Sequence, residues 1–411
     1  MRVRPFHAWR PAAGREARVA SPPYDVVDTS AARRLAAGNP LSFLHVSRAE
    51  MDLPDETDPH APDVYRAAAA AWDRFRREGW LVRDAEAGLY AYRLSTGDHV
   101  QTGVVACGSL QDLEAGVIRR HEHTRPVPET DRTRHIMALN AQAEPVMLAF
   151  RDTAEVRALV EEAERTAPLF DVEAPDGVRH TGWRMPSTDQ VVDAFARVPA
   201  AYIADGHHRV AGAARAARER HAAGGVEPAS DDHDGLLAVL FPASGLRIWS
   251  YPRCVRDLAG LSVEAFLDRV RRAFDVQALA EPGAIPSGRI DLHLPGGAWR
   301  LTPREPPTPG DPVAALEVSL LQDRLLEPIL GIADPRHDER LQFVGGASAG
   351  KEWARRLAQG EAAAVLIPAP SPVEAMMAIA DRGRTMPPKS TWFDPKLASG
   401  LFVHALDERS G

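Results

Sequence analysis

The stretch that decides the fold runs Tyr202-Ile203-Ala204-Asp205-Gly206-His207-His208-Arg209. Three residues typical of a strand lead into Asp205 and Gly206, and an alanine-rich run then continues as far as His221. This order predicts a strand, a tight turn and a helix. Asp205 stands where a helix cap would stand, and Gly206 allows the backbone to turn or to approach a ligand closely.

The first turn of the predicted helix carries His207, His208 and Arg209. Free N–H groups and the positive end of the helix dipole favour an anion at this position. Three potential cations at the same end therefore indicate a bound phosphate or carboxylate. The alternative interpretation is that one histidine is buried and hydrogen-bonded, while Arg209 pairs with a nearby carboxylate.

The composition is that of a soluble globular protein. The chain has 411 residues, of which 45% are hydrophobic, without an apolar run of membrane length. The N-terminus lacks the apolar core of a signal peptide, and the only cysteines, Cys107 and Cys254, are far apart. We therefore expect a cytoplasmic protein without a membrane partner. The net charge of −8 argues against a nucleic-acid partner.

Lysine is rare in this chain. The 49 basic residues include only three lysines, Lys351, Lys389 and Lys396. Two of them fall in one short C-terminal stretch, which indicates that an ammonium group is needed there rather than any positive charge. Coincidence is the alternative, because three lysines are a small sample.

Two dense motifs precede the central stretch. In Ser21-Pro22-Pro23-Tyr24-Asp25 the double proline predicts an extended backbone that presents Tyr24 and Asp25. The second motif is a polar run, Arg119-Arg120-His121-Glu122-His123-Thr124-Arg125. Most such runs are solvated faces, but two histidines flanking a carboxylate ahead of stiffening prolines favour a site. Metal ligation would need an extended segment and a third ligand that the spacing does not specify, so we assign no metal site.

The last dense motif runs Met386-Pro387-Pro388-Lys389-Ser390-Thr391-Trp392-Phe393-Asp394-Pro395-Lys396-Leu397. Prolines stiffen the backbone around Lys389 and the adjacent hydroxyls of Ser390 and Thr391. An ammonium beside two hydroxyl donors predicts a phosphate-binding group. The alternative is a docking tail in which Trp392 and Phe393 fill a groove.

The polar, acidic run from Gly224 to Asp234 is a candidate boundary between two lobes. We expect an N-terminal lobe over residues 1–225, which contains both histidine motifs. A C-terminal α/β lobe would cover residues 235–411, with its last segment, 386–397, returning to the site. The four motifs are too polar for a core, so we expect them to meet in one cleft.

Together the four motifs resemble the prokaryotic domain of unknown function 1015 family over nearly the whole chain. The segment Ala204–Arg209 is also similar to the strand-turn-helix of the ParB/sulfiredoxin superfamily, whose members hold nucleotide phosphates with it and include free serine kinases. The resemblance implies an α+β (mixed α/β) fold with a ParB/sulfiredoxin-like core in a larger globular protein of one or two lobes. His207 and His208 stand where Glu-Arg is common, which bears on how Mg²⁺ would be held.

The motifs therefore predict a phosphotransferase or phosphohydrolase acting on a small metabolite, and the resemblance to free serine kinases implies free serine or phosphoserine as candidate substrates. Arg209, Lys389 and the helix start would stabilise the transferred group. Asp205 or Glu122 would accept the proton, and His207 or His208 would act as acid or phosphate ligand. The remaining ligand-binding candidates are Tyr24, Asp25, His121, His123, Thr124, Arg125, Gly206, Ser390 and Thr391. The implied cofactor is a nucleotide with Mg²⁺, and the alternative function is a nucleotide-binding regulator without turnover.

Overall fold

The computed structural model describes residues 1–223, 234–281, 283–346 and 349–406. The chain divides into two compact units, one of Met1–Leu246 with Pro395–Gly411 and one of Arg247–Asp394. We call them the first and the second unit. Residues 224–233 of the expected lobe boundary lie outside the described residues.

The first unit contains both helices and strands. Its helices are α1 (Glu16–Val19), α2 (Thr29–Ala36), α3 (Leu44–Ser47), α4 (Pro62–Arg77), α5 (Leu110–Glu114), α6 (Pro126–Leu139), α7 (Ala154–Glu164), α8 (Thr188–Ala196) and α9 (His207–Ala222). Its strands are β1 (Val3–Arg4), β2 (Ala8–Pro11), β3 (Leu81–Arg83), β4 (Tyr90–Thr96), β5 (His99–Ser109), β6 (Ile118–Arg119), β7 (Ala141–Gln142), β8 (Val146–Phe150), β9 (Phe170–Glu173), β10 (Arg179–Arg184), β11 (Ala201–Asp205), β12 (Gly235–Pro242) and, near the C-terminus, β19 (Val403–Ala405).

The larger sheet of the first unit has the strand order β6-β11-β8-β12-β5-β4-β10-β9, with β1 pairing β5. Its central strands β8 and β12 are apolar along almost their whole length, as expected for strands covered on both faces. A smaller sheet has the order β3-β2-β19-β7 and joins the C-terminal segment to this unit. The chain from Pro395 onward therefore belongs to the same unit as the N-terminal motif.

The second unit also mixes helices and strands. Its helices are α10 (Val263–Ala273), α11 (Glu317–Leu321), α12 (Glu327–Leu330), α13 (Ala349–Ala358) and α14 (Val373–Asp381). Its strands are β13 (Arg253–Val255), β14 (Phe274–Ala278), β15 (Ile290–Leu294), β16 (Gly297–Pro303), β17 (Leu341–Phe343) and β18 (Ala364–Pro368). They form a sheet in the order β14-β16-β15-β18-β13-β17. A π-helical turn, Gln322–Leu326, joins α11 to α12.

The predicted α+β class is confirmed, and so is the strand, turn and helix over residues 201–222. The helix cap is Gly206, however, and Asp205 is the last residue of β11. The prediction of Asp205 as the cap was therefore wrong by one residue, which leaves its carboxylate available for other partners. Across the described residues, no helix is long and apolar enough to cross a bilayer.

Candidate active site

Two parallel strands bring the histidine motifs together. β6 pairs in parallel with β11, with Tyr202 opposite Arg119. Parallel strands end at the same edge of a sheet, so the segment after β6 and the turn after β11 emerge side by side. The backbone N–H of Arg125 donates to Nε2 of His208 at 3.1 Å. The structure therefore joins the motif at residues 121–125 to the motif at 205–209.

The turn between β11 and α9 depends on glycine. Gly206 has a φ of +94°, a conformation that L side chains rarely adopt. A Cβ atom at this position would lie 2.8 Å from Nε of Arg209. Gly206 therefore allows both the turn and the close approach of the Arg209 side chain to the backbone.

A second glycine lets α6 approach α9. A Cβ atom on Gly212 would lie 2.8 Å from Cβ of Arg132, which belongs to α6. This close approach brings Arg132 into the same region as Arg209, and both residues line a cavity of about 20 Å³, enough for one water.

Asp205 lies between two cations. Its Oδ2 accepts a hydrogen bond from Nη2 of Arg209 at 2.6 Å, and its Oδ1 accepts one from Nζ of Lys396 at 2.9 Å. Burial alone would raise the pKa of Asp205, but Lys396 and Arg209 hold it well below its usual range. Asp205 is therefore a permanent anion that fixes both cationic groups.

Arg209 also contacts Asp25, with 3.9 Å between Nη2 and Oδ2. The Asp25 side chain is 38% exposed, so solvent or a substrate can reach it. Partial desolvation of its carboxyl and the like charges of Asp205 and Glu144 raise the pKa of Asp25, against the opposing effects of Arg209 and Lys396. Asp25 and Asp205 are thus neighbouring carboxyls whose pKa values move in opposite directions.

Glu144 fixes the segments that carry these groups. Its Oε1 accepts hydrogen bonds from the backbone N–H of Tyr24 at 3.1 Å and from the hydroxyl of Ser399 at 2.7 Å. Ser21 and Ser399 pair through their backbones. Asp25 and Lys396 are consequently held near Asp205 although they come from opposite ends of the chain. We call Asp25, Glu144, Asp205, Arg209 and Lys396 the Asp205 cluster.

Beside it, ligand atoms of His121, Glu122 and His207 lie within 4.8 Å of one another, and we call these three residues the histidine cluster. The two imidazole rings are perpendicular, with centroids 4.5 Å apart. Burial lowers the pKa of His121 to about 4, and burial together with His121 lowers the pKa of His207 well below its usual value. Both rings are therefore neutral at neutral pH and keep lone pairs for a ligand.

This donor set suits a transition metal better than Mg²⁺. Two imidazoles and one carboxylate are typical ligands of zinc, manganese or iron, whereas Mg²⁺ prefers oxygen ligands. Nδ1 of His207 lies 4.0 Å from Oε2 of Glu122, a separation at which both atoms can bind one ion. The histidine cluster does not fit the Mg²⁺ that usually accompanies a nucleotide.

The other predicted site residues have their own local contacts. Thr124 donates its hydroxyl hydrogen bond to Glu129 at 3.1 Å, and His123 and Arg125 are exposed. Lys389, Ser390 and Thr391 belong to the second unit. There the Ser390 hydroxyl donates to the carbonyl of Pro387 at 2.6 Å, and the Lys389 ammonium lies 5.5 Å from the centre of the Tyr251 ring.

Three residues of the site were missed in the sequence. Lys396 was noted only as one of the rare lysines, Arg132 only as part of the polar run that follows residues 119–125, and Glu144 has no motif around it. Arg132 stacks its guanidinium 3.8 Å from the centre of the Tyr24 ring and pairs with Asp131. The scarcity of lysine was the one usable signal, and it pointed to Lys389 as much as to Lys396.

The sequence profile of DUF1015, described as a protein of unknown function, matches residues 3–319. The chain belongs to the DUF1015 family. The first three motifs fall within the matched range, and the C-terminal motif with Lys396 lies beyond it. A comparison with curated proteins gives no match.

Several solved structures are distantly similar to this DUF1015 protein. A free serine kinase in complex with AMP is 13% identical with a TM-score of 0.35, covering 72% of this chain and 92% of its own. SbnI from Staphylococcus aureus, with a C-terminal truncation, is 11% identical with a TM-score of 0.38, covering 74% and 90%. A conserved hypothetical protein from Pyrococcus furiosus is 15% identical with a TM-score of 0.32, covering 72% and 95%. At these scores the similarities carry no argument about the site.

Proposed function

We propose that this DUF1015 protein transfers or hydrolyses a phosphoryl group on a small metabolite at the Asp205 cluster. The observation that carries the proposal is the pair of carboxyls Asp25 and Asp205, which lie 3.9 and 2.6 Å from Nη2 of the buried Arg209 and whose pKa values are displaced in opposite directions. Such divergent pairs are typical of acid–base centres. Phosphoryl transfer needs mainly positioning and cationic stabilisation, which Arg209 and Lys396 supply.

Asp25 is the proposed general base. A raised pKa makes a carboxylate a stronger base, and the exposed fraction of its side chain gives an acceptor hydroxyl or a water access to it. As the new O–P bond forms, Asp25 takes the proton of the attacking oxygen, and the bond from phosphorus to the leaving oxygen breaks. Asp205 keeps Lys396 and Arg209 oriented and does not exchange protons itself.

The Lys396 ammonium is the proposed contact with the phosphoryl oxygens. It is a compact charge on a flexible stem, whereas the two terminal nitrogens of Arg209 already donate to Asp205 and to the Pro145 carbonyl. The neutral rings of His121 and His207 would hold a ligand or a metal rather than supply positive charge. No step is assigned to Mg²⁺, since the histidine cluster does not fit it.

The substrates to test follow from the motif at Ala204–Arg209, which is similar to an element that holds nucleotide phosphates. ATP, ADP, CTP and pyrophosphate are the donors to test, free serine is the first acceptor, and phosphoserine is the first phosphate ester to test for hydrolysis. Phosphorus NMR of these mixtures is the test, because it follows every phosphorus species at once. We expect one donor to be consumed with formation of a phosphate ester or of inorganic phosphate.

Two variants make the test specific. Asp25→Asn should lower kcat/KM by about 10²–10⁴-fold, the range for a positioned general base, and Lys396→Met should also lose activity. Glu155→Gln, at an exposed ion pair with Arg197, is the matched control and should keep full activity.

Activity should fall as pH drops through the raised pKa of Asp25, because the base must be ionised. Tight nucleotide binding without turnover would replace the enzyme by the regulatory alternative, and full activity of Asp25→Asn would refute the assigned base.

A further inference from the structure

The second unit contains a cavity of about 270 Å³, close to the lower end of the size range for small-molecule sites. It is lined by apolar side chains together with a few polar ones. The lining residues used below are Arg253, Gln322, Asp334, Arg336, Phe343 and Pro387. We call this space the Arg253 cavity.

The guanidinium of Arg253 is buried on the wall of this cavity. It is only 3% exposed, and its hydrogen bonds go to two backbone carbonyls, Tyr251 at 2.6 Å and Lys389 at 3.2 Å. Its guanidinium lies 5.3 Å from the centre of the Phe343 ring. Among the described residues, no carboxylate forms an ion pair with it. Burial of a guanidinium without a counter-charge costs free energy. Its position on a cavity wall therefore indicates that the cavity binds an anion.

The neighbouring charges do not provide that anion. Asp334 also lines the cavity, but it pairs with Arg336 at 2.8 Å and with His337 at 3.0 Å. The cavity wall therefore keeps a net positive charge at Arg253. Burial lowers the pKa of Arg253 to about 10, which is consistent with a charge that lacks compensation but is still present at neutral pH.

Two further features distinguish this cavity from a packing defect. Gln322 opens the π-helical turn Gln322–Leu326, a rare conformation that is frequent at functional sites. Its side-chain amide donates to the carbonyl of Ile332 at 2.8 Å, while Oε1 is buried without a partner among the described residues. The wall thus offers a cation and an unused acceptor beside apolar surface.

We propose that the Arg253 cavity is a second ligand site, which binds a small organic anion through its carboxylate or phosphate group. The planar guanidinium of Arg253 takes the anionic group, because it matches both oxyanions in geometry. Phe343 and Pro387 pack against the apolar part of the ligand. This site does not depend on the function proposed for the Asp205 cluster.

The test uses benzoate, phenyl phosphate and the neutral benzamide as probes, with isothermal titration calorimetry on the full chain. We expect one or both anions to bind and benzamide to bind at least tenfold more weakly. Arg253→Met should lower the affinity for the anions by about 10–100-fold, the range for a hydrogen bond to a charged group, and leave benzamide unchanged. The stronger anion identifies the group that the site prefers.

The matched control is Arg271→Met, which removes an exposed arginine of the second unit that pairs with Asp268 and should leave benzoate binding unchanged. Arg253→Lys tests geometry, because an ammonium keeps the charge without the fork and should restore only part of the affinity. No binding of either anion to the unsubstituted chain, or equal affinity in Arg253→Met, would overturn the proposal. In that case Arg253 would serve only to hold the Tyr251 and Lys389 carbonyls.

Discussion

Arg209 and Arg253 are both almost fully buried, and their surroundings differ in one respect. Arg209 contacts two carboxylates, whereas the hydrogen bonds of Arg253 go to backbone carbonyls. Burial alone would lower both pKa values. The carboxylates of Asp25 and Asp205 raise that of Arg209 above its ordinary value, and burial lowers that of Arg253 to about 10.

The difference indicates two kinds of site. In the first unit the cation is compensated by the protein and serves to position the groups around it. In the second unit the compensation is missing, so a ligand is the best source of the counter-charge. An arginine in a sequence does not reveal which case applies, because the answer depends on the residues that the fold brings to it.

The largest expected effect comes from removing the two guanidiniums in turn. Arg209→Met leaves Asp205 and Asp25 with less compensation and should lower the free energy of unfolding by about 3–5 kcal/mol. Arg253→Met removes an uncompensated charge at the cost of two hydrogen bonds, so stability should change by less than about 1 kcal/mol. Urea unfolding of both variants measures the two changes in the free energy of unfolding. Equal losses would show that the two arginines do not differ in this way.

Measurements of stability against pH test whether Arg209 acts through its ion pairs. The folded-state pKa of Asp205 is depressed, so the stability that its ion pairs contribute is present above about pH 4, the ordinary carboxyl value. It is lost as pH falls toward the lower pKa of the folded state. The unsubstituted chain and Arg209→Met should therefore approach each other in stability in acid, whereas a constant difference would mean that Arg209 acts mainly through packing.

Local pattern was enough to predict the strand, turn and helix that carry the candidate site. The apolar run before Asp205, the glycine and the alanine-rich helix are properties of neighbouring residues, and the structure has the strand and helix there. The association of Lys396 with Asp205 depends on the pairing of Ser21 with Ser399 between the two ends of the chain. No local pattern encodes that contact, so the sequence could not choose between Lys396 and Lys389.

Glu144 and Arg132 could not be predicted for the same reason, since their roles arise from packing of α6 and β8 around the turn. Arg253 did leave a signal in the sequence. It follows Tyr251-Pro252 and precedes Cys254-Val255, and a charged residue in a short apolar strand needs a partner or a ligand.

The next prediction distinguishes the cost of backbone strain at Gly206 from the cost of a contact with Arg209. Gly206→Ala places an L residue at positive φ and a Cβ against Nε of Arg209. Gly177→Ala has a similar φ of +82° with open space around it, so it is the matched control. The control should lose about 1–2 kcal/mol from backbone strain, and Gly206→Ala should lose more and shift Arg209. Equal losses in the free energy of unfolding in urea would show that the contact between Arg209 and the added Cβ at position 206 does not affect stability.

The smallest expected effect concerns Lys389, whose carbonyl is one of the two acceptors of Arg253. Lys389 has a φ of +57°, in the left-handed region that favours glycine. Lys389→Gly should therefore raise stability by up to about 1 kcal/mol. The gain is the strain relieved in the folded chain, reduced by the extra conformational entropy that glycine gives to the unfolded chain. Ala259→Gly, at a φ of +53° in the same unit, is the matched control and should give a similar gain.

The same variant separates the backbone of Lys389 from its ammonium. If Lys389 acts only through its carbonyl, Lys389→Gly keeps the hydrogen bond to Arg253 and the affinity for benzoate and phenyl phosphate. If the ammonium holds the anion, both affinities fall in Lys389→Gly and stay unchanged in Ala259→Gly. We expect the first result, because the Lys389 ammonium lies over the Tyr251 ring and Lys389 itself does not line the Arg253 cavity. A loss confined to phenyl phosphate would instead support the phosphate-binding role predicted for Lys389 from its rarity, and would place that role in the second unit.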